Sequence, residues 1–310
     1  GGAVHMENPA HALKSNQSHF VNNSARIDGG AVVCLDETAT GYLMSIDDEF
    51  RGNQAKFGSG GAFALFGTKL NLSSSCIQNS ALNGAGGCVM WDPLADAEEL
   101  ALWAMHEPDF QASLLFANSA AYGNVVATPV FALSYSFHPT NPRVAFVTAA
   151  GGLVNPGPMV TLLDYYKNVV RGRPTEHVEV RVQLVNSEGA SAVFGGVVAK
   201  IDSMMGLAVF NELSMSGIPG SGPHDLRFLG SVSASLGSDT RSINETSSYL
   251  LPMFPFQVWV RNCSLGQYLN ENQQCIAVEL GWKRSNCTGL VCRDTEPCMA
   301  GEFGKKTIDG

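Results

Sequence analysis

The chain has 310 residues and a net charge of −9, and its 19 Lys and Arg residues are scattered without a patch that interleaves arginine with aromatics, which argues against a nucleic-acid partner. No run of about 20 apolar residues occurs, so no segment is expected to span a bilayer as a helix. With 33 glycines and 15% charged residues the composition suits turn-dense β structure, and the length accommodates two domains and part of a third.

The N-terminal part repeats a short pattern: an aromatic or bulky residue, Asn three positions on, Ala two further, then a Gly-rich step. The copies are Phe20, Asn23 and Ala25 before Gly29-Gly30-Ala31, then Phe50, Asn53 and Ala55 before Gly60-Gly61-Ala62. Cys76, Asn79 and Ala81 follow before Gly86-Gly87-Cys88, and Leu115, Asn118 and Ala120 before Tyr122-Gly123-Asn124. A further pair, Gly1-Gly2-Ala3, opens the chain. The Asn-to-Asn steps of 30, 26 and 39 residues are the length of one solenoid coil. Residues 1–129 are therefore expected to form a right-handed parallel β-helix. Stacking would place Phe20, Phe50, Cys76 and Leu115 in an interior column and Asn23, Asn53, Asn79 and Asn118 in an amide ladder at a corner. Asn fits a corner because it tolerates the left-handed conformation, and paired glycines permit positive φ or close backbone approach.

The pairing of FxxN with GGA[ILV] resembles the repeat of the polymorphic outer membrane protein family, surface-exposed autotransporter adhesins. Gly29-Gly30-Ala31-Val32 fits in full and Gly60-Gly61-Ala62-Phe63 nearly so, while the third and fourth copies lack the Phe or the Ala. The resemblance covers roughly the first 130 residues and implies adhesion at a cell surface. Similar repeats occur in large extracellular proteins of algae and protists, a setting that the modules following the repeats favour, and no autotransporter barrel is evident.

Within the repeats, Asp36 with Glu37 and the run Asp47-Asp48-Glu49 are the candidate carboxylates for sugar chemistry. They fall in the connections after the Gly-Gly steps and do not recur at matching offsets from one coil to the next, so solvated loops are expected, with a loose Ca²⁺ site at Asp47-Asp48-Glu49 as an alternative. Pro93 to Met105 reads as a helical excursion with an acidic start, packed through Leu100, Leu102 and Trp103. Trp91 and Trp103 are candidate ligand anchors there. Cys76 and Cys88, 12 residues apart, are either small buried residues or a bridge across one coil. Of the seven His, His106 and His224 sit near loops with no nucleophile motif.

Residues 130–155 are a linker or first strand. From Pro156 a period of two takes over, in runs such as Met159–Leu163, Val178–Val185, Val197–Ile201, Leu207–Phe210, Leu213–Met215, Leu226–Leu229 and Phe256–Val260. This predicts an immunoglobulin-like sandwich over 156–262. The order of its pieces resembles the bacterial Ig-like and filamin-type modules that act as spacers in adhesins.

Cys263, Cys275, Cys287, Cys292 and Cys298 crowd into 263–310, where little apolar periodicity survives and staples are needed. Their spacings contain no CxxC pair of zinc-ribbon type, which favours disulfides over metal. Cys263-Ser-Leu-Gly266-Gln-Tyr268 resembles the opening of cysteine-rich modules in ephrin-receptor-like and tumour-necrosis-factor-receptor-like ectodomains, and Cys298-Met-Ala-Gly301-Glu-Phe303 repeats it. Disulfides persist where the medium is oxidising. Six N-x-Ser/Thr sequons, at Asn16, Asn22, Asn71, Asn244, Asn262 and Asn286, agree with such a compartment.

The sequence thus predicts an all-β, non-enzymatic piece of a modular extracellular or cell-surface glycoprotein. It would bind a protein or glycan ligand, and the full-length protein would be membrane-anchored. The alternatives are a β-helical polysaccharide lyase or hydrolase and a structural wall or matrix component.

Overall fold

The computed structural model describes the chain except for residues 9–12, 96–98, 112, 136–143, 148–149, 173–177, 186–191, 233–246, 250–255, 264–266, 271–273, 278–281, 289–290 and 298–310. Residues 144–147, 231–232, 247–249, 268–269, 282–288 and 291–297 are described by backbone alone. The protein is all-β apart from one α-helix among the described residues, Leu100–His106. No helix among the described residues is long and apolar enough to cross a membrane.

Through Ala127 the strands form three parallel sheets, and each repeat contributes to all three. The strands after the glycine step, Val4–Glu7, Val32–Leu35, Phe63–Phe66, Val89–Asp92 and Val126–Ala127, pair in chain order to make the first sheet. Its register sets Val4, Val32, Phe63, Val89 and Val126 in one row, the same positions that the repeat aligns. Ser24–Ala25, Gln54–Ala55, Ser80–Ala85 and Ser119–Tyr122 make the second sheet. The third contains Leu13–Asn16, His19–Val21, Gly41–Arg51, Thr68–Ile77, Asp109–Phe110 and Leu114–Phe116. Its register runs Phe20 to Phe50 to Cys76 to Leu115. Parallel pairing follows because each repeat travels the same circuit, so equivalent segments meet head to head.

Glycine is required at both places of the pair, for different reasons. Gly29, Gly60, Gly86 and Gly123 all have φ between 60° and 72°, the left-handed region that side chains resist. At the second place the obstacle is the next repeat: a Cβ on Gly61 would lie 2.0 Å from the carbonyl oxygen of Gly87. The fourth copy carries Asn124 at that place, and among the described residues no strand of a further repeat stacks beyond it in the first sheet. At the Asn corner, the left-handed residue is the one before each ladder Asn: Asn22 (φ 56°), Gly52 (64°), Gln78 (56°) and Ala117 (55°). The expectation that the ladder Asn itself takes this conformation is corrected accordingly.

Most of the remainder is one curled, mainly antiparallel sheet, accompanied by the two-stranded pair Ala192–Phe194 and Ser214–Ser216. Its order is Ala132–Tyr135, Met159–Leu163, Leu207–Val209, Val198–Asp202, Val178–Val185, His224–Val232, Phe256–Val260, Val144–Val147, Val154–Asn155, with Ser247–Tyr249 beside His224–Val232. Stretch 130–155 therefore supplies three strands of this sheet. The inner face holds Val160, Leu162, Val180, Phe210, Leu226, Phe228 and Val258, all at most 1% exposed. Alternation dictates this face, since successive side chains of Val178–Val182 point in turn to core and solvent. A small four-stranded sheet, Cys275–Ala277, Gln267–Leu269, Val291–Pro297 and Trp282–Thr288, closes the described chain.

Candidate functional site

The interior of the stack is a column of rings. Phe20 and Phe50 stack with centroids 4.7 Å apart and planes within 2°, and Phe50 meets Phe63 at 4.3 Å. Burying a phenylalanine such as Phe50 contributes about 2–3 kcal/mol. In the third repeat the Phe/Ala pair is replaced by Cys76 and Cys88, which form a disulfide across the coil with Cα atoms 6.1 Å apart. Both are fully buried, so the bridge fills the space that the Phe ring and the small residue fill in the neighbouring coils. Closing a loop of this size stabilises by about 3 kcal/mol.

Beside this column runs an amide ladder. Asn53 Oδ1 accepts from the backbone N–H of Asn23 at 3.0 Å and from its Nδ2 at 2.9 Å. Asn79 Oδ1 receives the same two bonds from Asn53 (2.9 and 2.8 Å), and Asn118 Oδ1 from Asn79 (2.9 and 3.1 Å). Each buried Nδ2 also donates to a carbonyl: Asn53 to Phe20, Asn79 to Phe50, Asn118 to Cys76. The amide suits the place because it both donates and accepts, so one side chain satisfies coils on both sides.

A second polar ladder escaped the sequence reading. The Ser18 N–H donates to Asp48 Oδ1 (2.7 Å), the Asp48 N–H to Ser74 Oγ (3.0 Å), and the Ser74 N–H to Ser113 Oγ (3.5 Å). These residues stand five positions before Asn23, Asn53, Asn79 and Asn118, so their spacing was legible, but the change from Ser to Asp hid the recurrence. Asp48 is 2% exposed, and its Oδ2 takes a bond from Ser45 Oγ at 2.6 Å. A bulge between Ile46 and Glu49 explains the orientation: Asp47 has φ 51° and stays exposed while Asp48 turns inward. Glu49 faces out, 2.9 Å from His19 Nδ1 and 3.1 Å from Arg51 Nε. The run Asp47-Asp48-Glu49 is thus part of strand Gly41–Arg51, with side chains that diverge, rather than a solvated connection. Among the described residues no three His, Cys, Asp or Glu side chains gather as a metal-binding group.

Asp36 is sealed in the turn that follows the second strand of the first sheet. Its carboxylate accepts from Thr38 N (3.0 Å), Thr38 Oγ1 (2.6 Å) and Thr40 N (2.9 Å). Burial opposes ionisation, but these bonds, with one from Gly41, outweigh it and hold the carboxyl below its ordinary value. Glu37 is exposed next to it. Cys34 is buried as a free thiol, and loss of solvation pushes it up to about 12, which leaves it unreactive.

Trp91 and Trp103 are 1% and 2% exposed, so neither is available as a surface anchor for a ligand. They meet at 5.5 Å and join Phe131, Tyr165 and Tyr166 in an aromatic cluster that closes the C-terminal end of the stack against the curled sheet. Trp91 Nε1 donates to Tyr166 Oη at 3.1 Å. Leu100, expected to pack the helix, is 58% exposed; the helix is held by Trp103 and by His106, whose Nε2 lies 2.8 Å from Ala39 O and Nδ1 2.9 Å from Leu102 O. Nearby, Asp164 is buried and accepts from Asn168 N (2.7 Å), Asn168 Nδ2 (2.9 Å) and Thr128 N (3.4 Å). Burial wins there and raises the carboxyl above its usual range. The other singled-out histidine, His224, pairs through Nε2 with Ser221 Oγ at 2.9 Å, and burial lowers its affinity for a proton.

The stack offers apolar groups to solvent in more than one place: Leu114 and Phe116, on a strand of the third sheet, are 55% and 49% exposed, and a further group stands on the outer surface of the second sheet. Ile27, Phe57 and Leu82 are 48%, 51% and 60% exposed and come from three successive repeats. Exposed Arg26 and Lys56 precede the first two, and the N–H of Phe57 donates to Arg26 O (3.1 Å), which fixes them as neighbours. The strip ends against the curled sheet's Gly172, where a Cβ would lie 3.1 Å from Asn83 O and 3.3 Å from Ala121 Cβ. Register sets Leu82 beside Lys56 and Asn83 beside Phe57, so apolar and cationic groups alternate on this surface, which suits a ligand with both apolar and acidic groups.

Near the C-terminus, Cys263 and Cys275 form a disulfide with Cα atoms 5.4 Å apart, and the Cys275 N–H donates to Ala150 O. Backbone register sets Cys287 opposite Cys292. Cys298 and the sequon Asn244 lie outside the described residues, and Asn286 lies on the backbone-only strand Trp282–Thr288. Bridges such as these two belong to an oxidising compartment. In comparison with known proteins, the chain matches no family model and no curated protein.

Proposed function

We propose that this is a modular extracellular or cell-surface protein whose stacked repeats present a ligand-recognition face. The observation that carries the reading is the exposed apolar group Ile27, Phe57 and Leu82, interleaved with Arg26 and Lys56, on a scaffold whose interior is fixed by ladders and a disulfide. In this reading the three parallel sheets are the faces of a parallel β-helix of the kind seen in polymorphic outer membrane protein repeats. The curled sheet is an immunoglobulin-like spacer. Its support is strand order: Ala132–Tyr135, Met159–Leu163, Leu207–Val209 and Val198–Asp202 stand together at one end of the sheet, and Val178–Val185, His224–Val232 and Phe256–Val260 follow next to them. The cysteine-rich end begins a receptor-like module, and the ligand is an extracellular protein or a glycan.

A polysaccharide-processing enzyme would need carboxylates convergent on one open face. Asp36 and Asp48 are instead buried in structural hydrogen bonds, which favours recognition over catalysis. The test is a glycan-array and cell-binding screen of the secreted chain, repeated with Phe57→Ser combined with Leu82→Ser. Binding that falls at least tenfold in the double variant, with unchanged thermal unfolding, supports the reading. Equal binding by both proteins, or turnover of a polysaccharide by the parent chain, overturns it.

A further inference from the structure

N-linked sugar requires an asparagine that is open to solvent and followed two positions later by Ser or Thr. The buried asparagines among the described residues all fail the second condition. Asn53, Asn79 and Asn118 carry Ala55, Ala81 and Ala120 at that place, as the outermost ladder member Asn23 carries Ala25. The acceptor motifs among the described residues sit elsewhere. Asn16 ends strand Leu13–Asn16 and is exposed, and Asn22 is exposed at the corner beside it. Asn71 lies on the outward alternation of Thr68–Ile77, between buried Leu70 and Leu72. Register relates the sites: Lys14 pairs with Met44 and Met44 with Asn71, while Asn16 pairs with Ile46 and Ile46 with Ser73. Asn16 and Asn71 therefore share the outer face of the third sheet, two strand spacings or about 10 Å apart across the strands. The second sheet's outer surface bears exposed Asn83, but Ala85 follows it two positions on, so the apolar strip has no acceptor beside it.

We propose that Asn16, Asn22 and Asn71 are N-glycosylation sites, and that their sugars cover the third sheet and its corner while the strip Ile27, Phe57, Leu82 stays bare. The donor is a lipid-diphosphate-linked oligosaccharide. The amide Nδ2 bonds to the sugar C1, the C1–O bond to the diphosphate breaks, and the polyprenyl diphosphate departs as one amide proton is released. The proposal rests on the extracellular reading and deepens it by saying which face is free to bind.

The chain is produced through a eukaryotic secretory pathway, and disulfides and glycopeptides are mapped by mass spectrometry. Lysine acylation by a water-soluble ester then compares this protein with the variant Asn16→Gln/Asn22→Gln/Asn71→Gln. Occupancy at the three sites, with acylation of Lys14 and Lys69 rising several-fold in the variant and that of Lys56 unchanged, is the expected result. Intact Cys76–Cys88 and Cys263–Cys275 bridges with bare Asn16 and Asn71 overturn the proposal and leave the compartment standing. Sugars with no change at Lys14 and Lys69 overturn the shielding of the third sheet. Free thiols together with bare asparagines overturn the extracellular reading as well.

Discussion

In the stack of parallel strands a side chain meets copies of its own position, whereas in the curled sheet every contact is between unlike positions. Asn79 bonds to Asn53 and Asn118, and Phe20 stacks on Phe50; by contrast Phe228 meets Tyr135, Phe210 and Phe256, which come from three separate parts of the chain. The difference decides where polar groups can be buried. A stack can carry amides and hydroxyls through its interior because each donor finds an acceptor one coil away, and unsatisfied groups are confined to the ends. The core of the curled sheet is apolar, and its polar network, Asp164 with Thr128 and Asn168, sits at the junction.

The sharpest way to break the stack is to put a Cβ where the next coil passes. Gly61→Ala should cost about 4 kcal/mol or prevent folding, because the neighbour is backbone and cannot move aside. Asn124→Ala, at the equivalent place with no strand of a further repeat over it among the described residues, should cost below about 1 kcal/mol; urea unfolding of the two variants reads the contrast. Next in size is Asn79→Ala, which strips acceptors from Asn53 and a donor from Phe50 O, at about 3 kcal/mol. Asn23→Ala, at the end of its ladder, should cost about 1 kcal/mol. If both asparagines cost the same, stacking is not what places them.

The cystine offers a comparison between neighbouring coils. Cys76→Ala with Cys88→Ala should lose about 3 kcal/mol, read as a lowered thermal midpoint. Cys76→Phe with Cys88→Ala recreates the Phe50 and Ala62 pairing of the coil before and should recover most of that loss.

The two buried carboxylates should give opposite pH dependences. Asp36 is held below its unfolded value, so its stabilisation is present above the ordinary carboxylate range and is lost as pH falls through its folded value. Asp164 is raised, so the folded state binds its proton more tightly. Its contribution is fully present below the unfolded value and is lost as pH rises through the folded one. Unfolding curves across acidic pH should flatten at the low end in Asp36→Asn and lose the decline with rising pH in Asp164→Asn. The smallest effect on stability, under about 0.5 kcal/mol, is expected for Phe57→Ser, whose ring rests on the surface.

The Asn column was legible in the sequence because its members are identical and equally spaced, and the curled sheet's strands were legible in their alternation. The Ser18, Asp48, Ser74 and Ser113 column obeys the same spacing but mixes residue types, so only the hydrogen bonds disclose it. Trp103 packs the helix as expected, but Leu100 as a packing residue and the two tryptophans as ligand anchors were misjudged for a different reason. Which face of a seven-residue helix is covered depends on Phe131 and Tyr165, supplied by distant chain.

By itself, then, the sequence determined what repetition and periodicity encode: all-β structure, the repeat unit, the residues that recur within it and the strands of the second region. Tertiary structure alone decided that Cys76 and Cys88 join, that Asp48 turns inward at a bulge, that Trp91 and Trp103 close the stack, and that Ile27, Phe57 and Leu82 stay open to solvent. Local pattern fixes the direction of a side chain within its own strand. Whether anything lies over it is settled by segments far away in the chain, whose approach leaves no periodic mark.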